Sequence, residues 1–323
     1  MTLSPGCRYL AGMPIECVPP KAPRPALSSS GSTGPRLLFG ALVASLGLAA
    51  APAAAQHRAS EAWASSSGST GAGLGLVSPQ DGRFWGEAAF HTQDGLTAFS
   101  PLLGIGFFIT PNIELEGILP LSFASVEFGN ETESSLRLGA PYFGVNYVHD
   151  DGRRLRLKVG GGLAYNPAEP SAAGWVALIA GEAMRGRWDL WLWTDRQLNL
   201  AAPFRLEYDL SPAVVFGVDA GFDLMIPVSN DNDEDGDVIV QVAPGIGFRA
   251  GQHWVVGGRL AAVFIPTADG DGEEQFSLEP YVRGAWGAGF FLARLTMNID
   301  EPYGFAFEED EIWGLHVGGG LAW

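Results

Sequence analysis

Ionisable residues of both signs recur at alternate positions in several segments of the chain. Arg154, Arg156 and Lys158 alternate with apolar residues, and pairs of acidic residues show the same spacing elsewhere. Residues two apart in an extended strand share one face, so each set would form a charged row. Facing rows of opposite sign can pair with each other or hold water and hydrated solutes between them. The residues that we single out on this basis are Glu114, Glu116, Arg154, Arg156, Lys158, Asp219, Asp223, Arg259, Arg283 and Arg294.

A second pattern that could bind a ligand is a run of alternate carboxylates. Asp231, Asp233 and Asp235 precede Gly236, as in the first half of a calcium-binding loop. The position that should hold a bidentate glutamate is Val242, so the loop is incomplete. The pattern predicts either weak Ca²⁺ binding or a solvated acidic loop, and no other cofactor is expected.

No catalytic arrangement is evident in the sequence. The five histidines occur singly, and no GxSxG, P-loop or HExxH motif occurs. The only two cysteines, Cys7 and Cys17, precede the cleavage site proposed below, so the mature chain would have no thiol. We therefore expect no enzymatic activity.

The composition excludes several classes of protein. The formal net charge of −17 repels nucleic acid, so no nucleic-acid partner is expected. Hydrophobic residues make up 47% of the chain, which argues against intrinsic disorder. No apolar run after residue 56 is long enough for a transmembrane helix.

The N-terminal region has the features of a secretory signal. Arg36 is followed by an apolar stretch and then by small residues up to Ala55, which is a typical cleavage site. We assign residues 1–55 to a signal peptide with an over-long N-terminal extension. Residues 56–82 are a flexible Gly/Ser-rich periplasmic leader, and residues 83–323 form the folded domain.

The folded domain is a series of segments in which apolar residues occupy every second position. In residues 214–226, Val214, Phe216 and Val218 begin the apolar face, whereas Asp219 and Asp223 lie on the other. Fourteen such segments can be drawn, including 175–184 and 187–196, and short connections alternate with long ones. So many amphipathic strands need either a second sheet or lipid against their apolar faces. The pattern predicts an all-β, antiparallel up-and-down transmembrane β-barrel of about 14 strands, with 12 as the alternative count.

The last strand carries a resemblance to a known family. Trp313, Leu315, Val317, Leu321 and Trp323 share one face, and the chain ends on the aromatic residue. It resembles the bacterial outer-membrane β-barrel proteins, whose last strand ends in a terminal Phe or Trp. The resemblance implies that these five residues are read by the barrel-assembly machinery during insertion. It also implies an outer-membrane location among lipid and lipopolysaccharide, and the even strand count puts both termini in the periplasm.

The tryptophans should form belts at the two membrane interfaces, where an amphipathic ring is favoured. The tryptophans that we place in these belts are Trp85, Trp188, Trp191, Trp193, Trp254, Trp286, Trp313 and Trp323.

Two functions are compatible with this barrel. The first is a porin-like channel for small hydrophilic solutes, lined by the charged rows named above and by inward-facing glycines. The second is a closed structural or adhesive barrel whose acidic outer loops bind cations. An outer-membrane enzyme is a third alternative, for which the sequence offers no catalytic residue.

Overall fold

The computed structural model describes residues 82–93, 95–128, 131–151, 153–167, 172–228, 236–267, 274–300, 303–305 and 312–323. The predictions for residues 1–81 and for Asp231, Asp233 and Asp235 lie outside these ranges. The strands are β1 (Gly82–Gln93), β2 (Leu96–Thr110), β3 (Ile113–Phe128), β4 (Glu131–Leu138), β5 (Tyr142–Asp150), β6 (Leu155–Tyr165), β7 (Gln197–Ser211), β8 (Val214–Pro227), β9 (Asp237–Ala250), β10 (Trp254–Phe264), β11 (Glu274–Trp286), β12 (Gly289–Asp300), β13 (Gly304–Phe305) and β14 (Trp313–Ala322). One helix, α1 (Ala172–Ala183), and a short 3-10 turn (Leu190–Leu192) lie between β6 and β7.

The strands form one closed antiparallel barrel. Neighbours in the sequence pair in order around the wall, and β1 pairs with β14 to close it. The closed circuit contains 12 strands, because β4 pairs only with β3 and the two-residue β13 pairs only with β12. The predicted fold class is therefore confirmed, with the lower of the two strand counts for the wall itself.

The period-two pattern places polar residues inside the barrel and apolar residues outside. On β8, the Phe222 side chain is 51% exposed on the outer surface, whereas its neighbour Asp223 is 1% exposed and points inward. An outward apolar surface suits hydrocarbon, and closure leaves no unpaired strand edge in the membrane. Among the described residues, no helix is long and apolar enough to cross a membrane.

The prediction of strands at 175–184 and 187–196 was wrong. Residues 175–181 are apolar at nearly every position, so they carry no clear period. Their alanine-rich sequence favours α1 instead. Further along, Arg187 and Asp189 have left-handed backbone conformations that break an extended strand. We call the whole connection between β6 and β7, residues 166–196, the insert.

Helix α1 ends in a glycine-based cap. Gly186 has a φ of +59° and its N–H donates to the Ala183 carbonyl at 3.1 Å, while the N–H of Arg187 donates to the Glu182 carbonyl at 3.2 Å. This pair of bonds is the Schellman motif, which glycine favours because it has no Cβ to strain the left-handed conformation. The cap ends the helix, and the residues that follow it from Trp188 to Trp193 are buried against the wall.

The insert fills part of the lumen with apolar side chains. Trp191, Leu192 and Trp193 are buried in a cluster with residues of the wall such as Leu102 and Tyr142. The rings of Trp191 and Tyr142 lie 4.9 Å apart. Trp85 of β1 and Trp188 are also buried, so the prediction that Trp85, Trp188, Trp191 and Trp193 lie in an interfacial belt was wrong. Aromatic surface of this size is better buried against the insert's own neighbours than left in a water-filled pore.

Other aromatic residues do lie on the outer surface, at the end of the barrel where β1 begins and β14 ends. Trp254, Trp286 and Trp323 are exposed there, and the Trp254 and Trp286 rings meet edge to face at 4.9 Å. An exposed aromatic belt of this kind is typical of a membrane–water interface.

The Gly186 cap can be tested by a matched pair of substitutions. Gly186→Ala and Gly251→Ala both place a Cβ on a left-handed residue, but only at Gly186 would that Cβ meet another group, the Ser277 Oγ at 2.0 Å. We expect Gly251→Ala to lower the free energy of unfolding by about 1 kcal/mol, and Gly186→Ala to cost ~1–3 kcal/mol more because of the clash. Urea unfolding of the refolded barrel would measure both. Equal losses would contradict the close packing of the cap against β11.

Candidate functional site

The lumen is lined by charged residues that are buried within the barrel. Of the ten residues that the sequence singles out, the structure buries nine on the inner face. They are joined there by charged residues from the same and neighbouring strands: Arg83, Glu87, Arg205, Glu207 and Glu279. These five residues also occupy polar positions of the period-two pattern, so the same sequence signal could have identified them.

Arg154 is the exception, and its predicted place in the lumen is corrected. It is exposed in the turn before β6, whose first residue is Leu155. The Asp151 carboxylate accepts hydrogen bonds from the backbone N–H groups of Arg153 and Arg154, at 2.7 and 2.8 Å. These bonds lower the pKa of Asp151 and hold the turn, so the strand and its inward row begin only after Arg154.

One group of charges joins β1, β3 and β6. Arg83 lies 2.7 Å from Glu114 and 2.9 Å from Glu116, and Lys158 lies 3.1 and 2.9 Å from the same carboxylates. Asn146 of β5 also donates to both glutamates. Two like charges on neighbouring inward positions are tolerated because each is shared between two cations.

A second group crosses the other side of the lumen. Asp219 of β8 lies 3.0 Å from Arg205 and 2.7 Å from Arg259, and Arg259 also pairs with Glu279 of β11. Glu207 of β7 lies 3.1 Å from Arg205. Alternating cations and anions on adjacent strands therefore cross-link the inner wall.

Two further arginines extend this group at Glu207. Arg283 of β11 lies 3.1 Å from the Glu207 carboxylate, and Arg156 of β6 lies 3.4 Å from it. The row of charges thus continues from β11 across the lumen to β7 and β6.

The third group fastens the insert to the wall. Glu87 of β1 lies 2.5 Å from Arg185 of the insert, 3.2 Å from Arg294 of β12 and 2.9 Å from the His316 ring of β14. Arg294 lies 3.5 Å from Glu279, so this group continues the second one. Arg185 is not among the residues that alternation singles out, because it belongs to no strand.

Further bonds hold the insert at several points along its length. The Met184 carbonyl lies 3.0 Å from the His316 Nε2, and the Ala183 carbonyl accepts from Asn298 at 3.2 Å. The Leu192 carbonyl accepts from the backbone N–H of Ala140 at 2.8 Å. The insert is therefore docked by buried polar contacts as well as by its tryptophans.

Asp189 of the insert is a buried carboxylic acid. Gln241 of β9 donates to its Oδ1 at 3.2 Å and accepts from its backbone N–H at 3.1 Å. Burial raises the pKa of Asp189 to about 7, although Arg185, Arg259 and Arg294 act in the opposite direction. Since the docked group binds its proton more tightly than a solvated Asp, docking weakens as the pH rises from about 4 to 7 and changes little above that.

The residues of the closing strand have the expected orientation. Leu315, Val317, Leu321 and Trp323 are exposed on the outer surface, while Trp313 is half-buried. The backbone N–H and carbonyl of Trp323 bond to Gly82 at 3.0 and 3.1 Å, which extends the seam between the first and last strands. Their role in insertion stays a prediction.

No cluster of three or more potential metal-ligating residues occurs within the described ranges. The only calcium candidates lie outside those ranges, and calcium binding stays a prediction.

The structure was compared with known proteins. Neither a protein-family model nor a curated protein matches the sequence. Among solved structures, an outer membrane channel from Pseudomonas putida F1 aligns over 77% of this chain and 97% of its own, with a TM-score of 0.54 and 10% identity. The fold is that of the outer-membrane β-barrels. At this identity the likeness establishes the fold alone.

Two porins align more loosely with this outer-membrane barrel. The NanC porin covers 74% of the chain and 98% of its own, with 8% identity and a TM-score of 0.44. The KdgM porin covers 74% and 99%, with 7% identity and a TM-score of 0.41.

The Glu87 anchor predicts a large effect from an isosteric change. Glu87→Gln would leave Arg185 and Arg294 buried beside a neutral amide, and breaking a buried ion pair costs about 3–5 kcal/mol. We expect the free energy of unfolding to fall by that amount in urea titrations of the refolded barrel. Glu127→Gln, on an exposed part of β3, is the matched control and should leave the free energy nearly unchanged. Equal, small effects of both substitutions would contradict the anchoring role of Glu87.

Proposed function

We propose that this protein is an outer-membrane channel for small hydrophilic solutes whose lumen is closed at rest by the insert. The observation that carries the proposal is that the wall is complete without the insert. β6 and β7 pair directly with each other from Leu155↔Tyr208 to Tyr165↔Leu198, so the strands on either side of the insert already meet. A segment that contributes no wall strand can move without opening the barrel to lipid.

The chemistry of the lumen supports passage of polar solutes. The inner face is built from side chains of both signs, and its apolar residues are largely those that contact the insert. If the insert leaves, the wall exposes these apolar side chains together with the charged rows, and the charged rows allow water to enter. A lumen with nearly balanced charge favours small hydrophilic solutes without a strong preference for either sign.

The outer surface supports placement in the outer membrane. The apolar band faces outward, and the exposed Trp254, Trp286 and Trp323 lie at the end where β1 begins and β14 ends. The two-residue turn between β7 and β8 lies at this same end, and the strand ends that flank the long connection 228–236, Pro227 and Asp237, lie at the other. We therefore place both termini in the periplasm and the long connections towards lipopolysaccharide.

A closed structural barrel is the second candidate. The observation that favours it is the unbroken series of ion pairs from Arg156 through Glu207, Asp219 and Glu279 to Glu87, which ties the wall to the insert. Such pairs would resist opening. Acidic loops that bind cations or neighbouring cells would then be the functional part.

Conductance of a loop-replacement variant distinguishes the two candidates. The ends of the insert are adjacent, since the Arg196 N–H donates to the Asn166 carbonyl at 2.8 Å, so a short Gly-Ser linker can replace residues 168–194. In planar bilayers we expect the intact protein to show brief openings from a closed baseline. The variant should be open at all times, with steps severalfold larger, because the lumen is no longer filled.

A Gly-Ser replacement of residues 229–235 serves as the control, because it alters a connection outside the insert and should conduct as the intact protein does. A silent intact protein together with a conducting variant would favour the structural barrel. Silence of both would contradict a wettable lumen and the channel proposal with it.

A further inference from the structure

A small cavity lies in the lumen beside β7 to β11. Its volume available to the centre of a water molecule is about 20 Å³, enough for one or two waters or one ion of similar size. The cavity exists because glycines face it: a Cβ on Gly217 would meet only the Leu206 carbonyl oxygen, at 3.8 Å. The lining residues are Arg205, Glu207, Val215, Gly217, Asp219, Ala243, Gly245, Arg259, Tyr281 and Arg283.

The charges around the cavity do not balance. Three arginines line it, and a guanidinium stays protonated in proteins. Only two carboxylates, Glu207 and Asp219, line it with them. Two residues outside the lining pair with it: Glu279 pairs with Arg259, and Arg156 pairs with Glu207. Counting both, four arginines face three carboxylates, so one positive charge is in excess even with every carboxylate ionised, which disfavours a cation and favours an anion.

Some guanidinium donors at the cavity have no acceptor. Within the described part of the chain, the Nε of Arg205 and the Nη2 of Arg259 are buried without a hydrogen-bond partner. A buried donor on a charged group is costly to leave unsatisfied. Each donor would gain a charge-assisted hydrogen bond from an anion in the cavity.

The carboxylate oxygens of the cavity are already engaged by cations. Asp219 Oδ1 lies 3.0 Å from the Arg205 guanidinium, and Glu207 Oε2 lies 3.4 Å from that of Arg156. These two oxygens face guanidinium groups but accept no well-aligned hydrogen bond. The excess of arginines over carboxylates is therefore what favours an anion in the cavity. On the insert, Trp188 covers Arg259, with the guanidinium carbon 4.9 Å from its ring centre, and helps to keep this side of the lumen dry.

We propose that this cavity is a binding site for one small monovalent anion of the halide class, held by Arg205 and Arg259. The volume is too small for a phosphate ester or an acidic sugar. The bound anion neutralises the excess charge of the lining and completes the ion-pair series between β7 and β11. This site does not depend on conduction, because a closed barrel would hold the same anion.

Crystals of the refolded protein grown or soaked in sodium bromide test the site directly. We expect an anomalous bromide peak in the cavity, within hydrogen-bonding distance of Arg205 Nε and Arg259 Nη2. The absence of a peak there, in crystals that show bromide at other positions, would overturn the proposal. The experiment measures binding alone, so its outcome is separate from that of the conductance test.

A matched pair of variants tests the same site in solution. Gly217→Leu fills the cavity and keeps all five charged residues, whereas Gly161→Leu adds the same side chain on the exposed outer face, where a Cβ would meet only the Ala201 carbonyl oxygen at 3.8 Å. At constant ionic strength, replacing gluconate with chloride should raise the unfolding midpoint of the intact protein and of Gly161→Leu, and the rise should saturate.

Gly217→Leu should lose this chloride-dependent rise. A rise in Gly217→Leu as large as that of the intact protein would overturn the proposal. If Gly217→Leu does not fold, the bromide experiment on the unaltered protein still decides.

Discussion

The ion pair between Glu87 and Arg185 is the interaction on which the arrangement of the lumen depends. Arg185 carries a permanent charge into the interior, and its 2.5 Å contact with Glu87 gives that charge a partner. Glu87 in turn is held by Arg294 and His316, from the two strands that precede the closing seam. Without this carboxylate, Arg185 would lose its 2.5 Å contact and Arg294 would keep the longer contact with Glu279 at 3.5 Å, although solvent reaches neither arginine.

The barrel is shaped by two different environments on the two faces of each strand. The outer face carries exposed apolar residues such as Phe143 and Phe248, which only hydrocarbon can cover favourably over so large an area. The inner face carries charges that pair across strands, as Lys158 does with Glu114 and Glu116. The insert replaces water in part of the lumen, where its tryptophans meet inward apolar residues such as Leu102. The wall and the insert are therefore held by the same two kinds of contact, buried ion pairs and apolar packing.

The wall could be predicted from sequence because its signal is strong and local. Asp219 and Asp223 alternate with apolar neighbours, and the alternation alone places them inside. The predicted inward row of β6 began too early, at Arg154, because nothing in the alternation shows that the Asp151 carboxylate holds Arg154 in the turn. Which charges pair could not be predicted, because the Arg259 contacts with Asp219 and Glu279 depend on the register of three strands.

The insert could not be predicted for a different reason. An apolar segment rich in alanine and tryptophan suits a lipid-facing strand as well as a helix packed inside a barrel, and periodicity does not distinguish them over so few residues. Tertiary contacts decide between the two structures: Arg185 pairs with Glu87, and Trp191 packs against Tyr142, only inside the closed wall. The left-handed conformations at Gly186 and Asp189 mark the break from an extended chain, but only the glycine is visible as a signal in the sequence.

The most direct test of this account is a nitroxide scan of residues 175–183 in lipid bilayers. Both cysteines of the chain, Cys7 and Cys17, lie far upstream of the barrel, so single cysteines can be introduced in a chain that begins at residue 56. The rate at which the nitroxide collides with dissolved oxygen measures its exposure to lipid, and the rate at which it collides with a water-soluble nickel chelate measures its exposure to water. The account predicts that labels at Ala177, Ala180 and Ala183 are shielded from both reagents, with a helical period along the segment. Oxygen accessibility that alternates at every second residue would show a lipid-facing strand of the wall and would contradict an insert that closes the lumen.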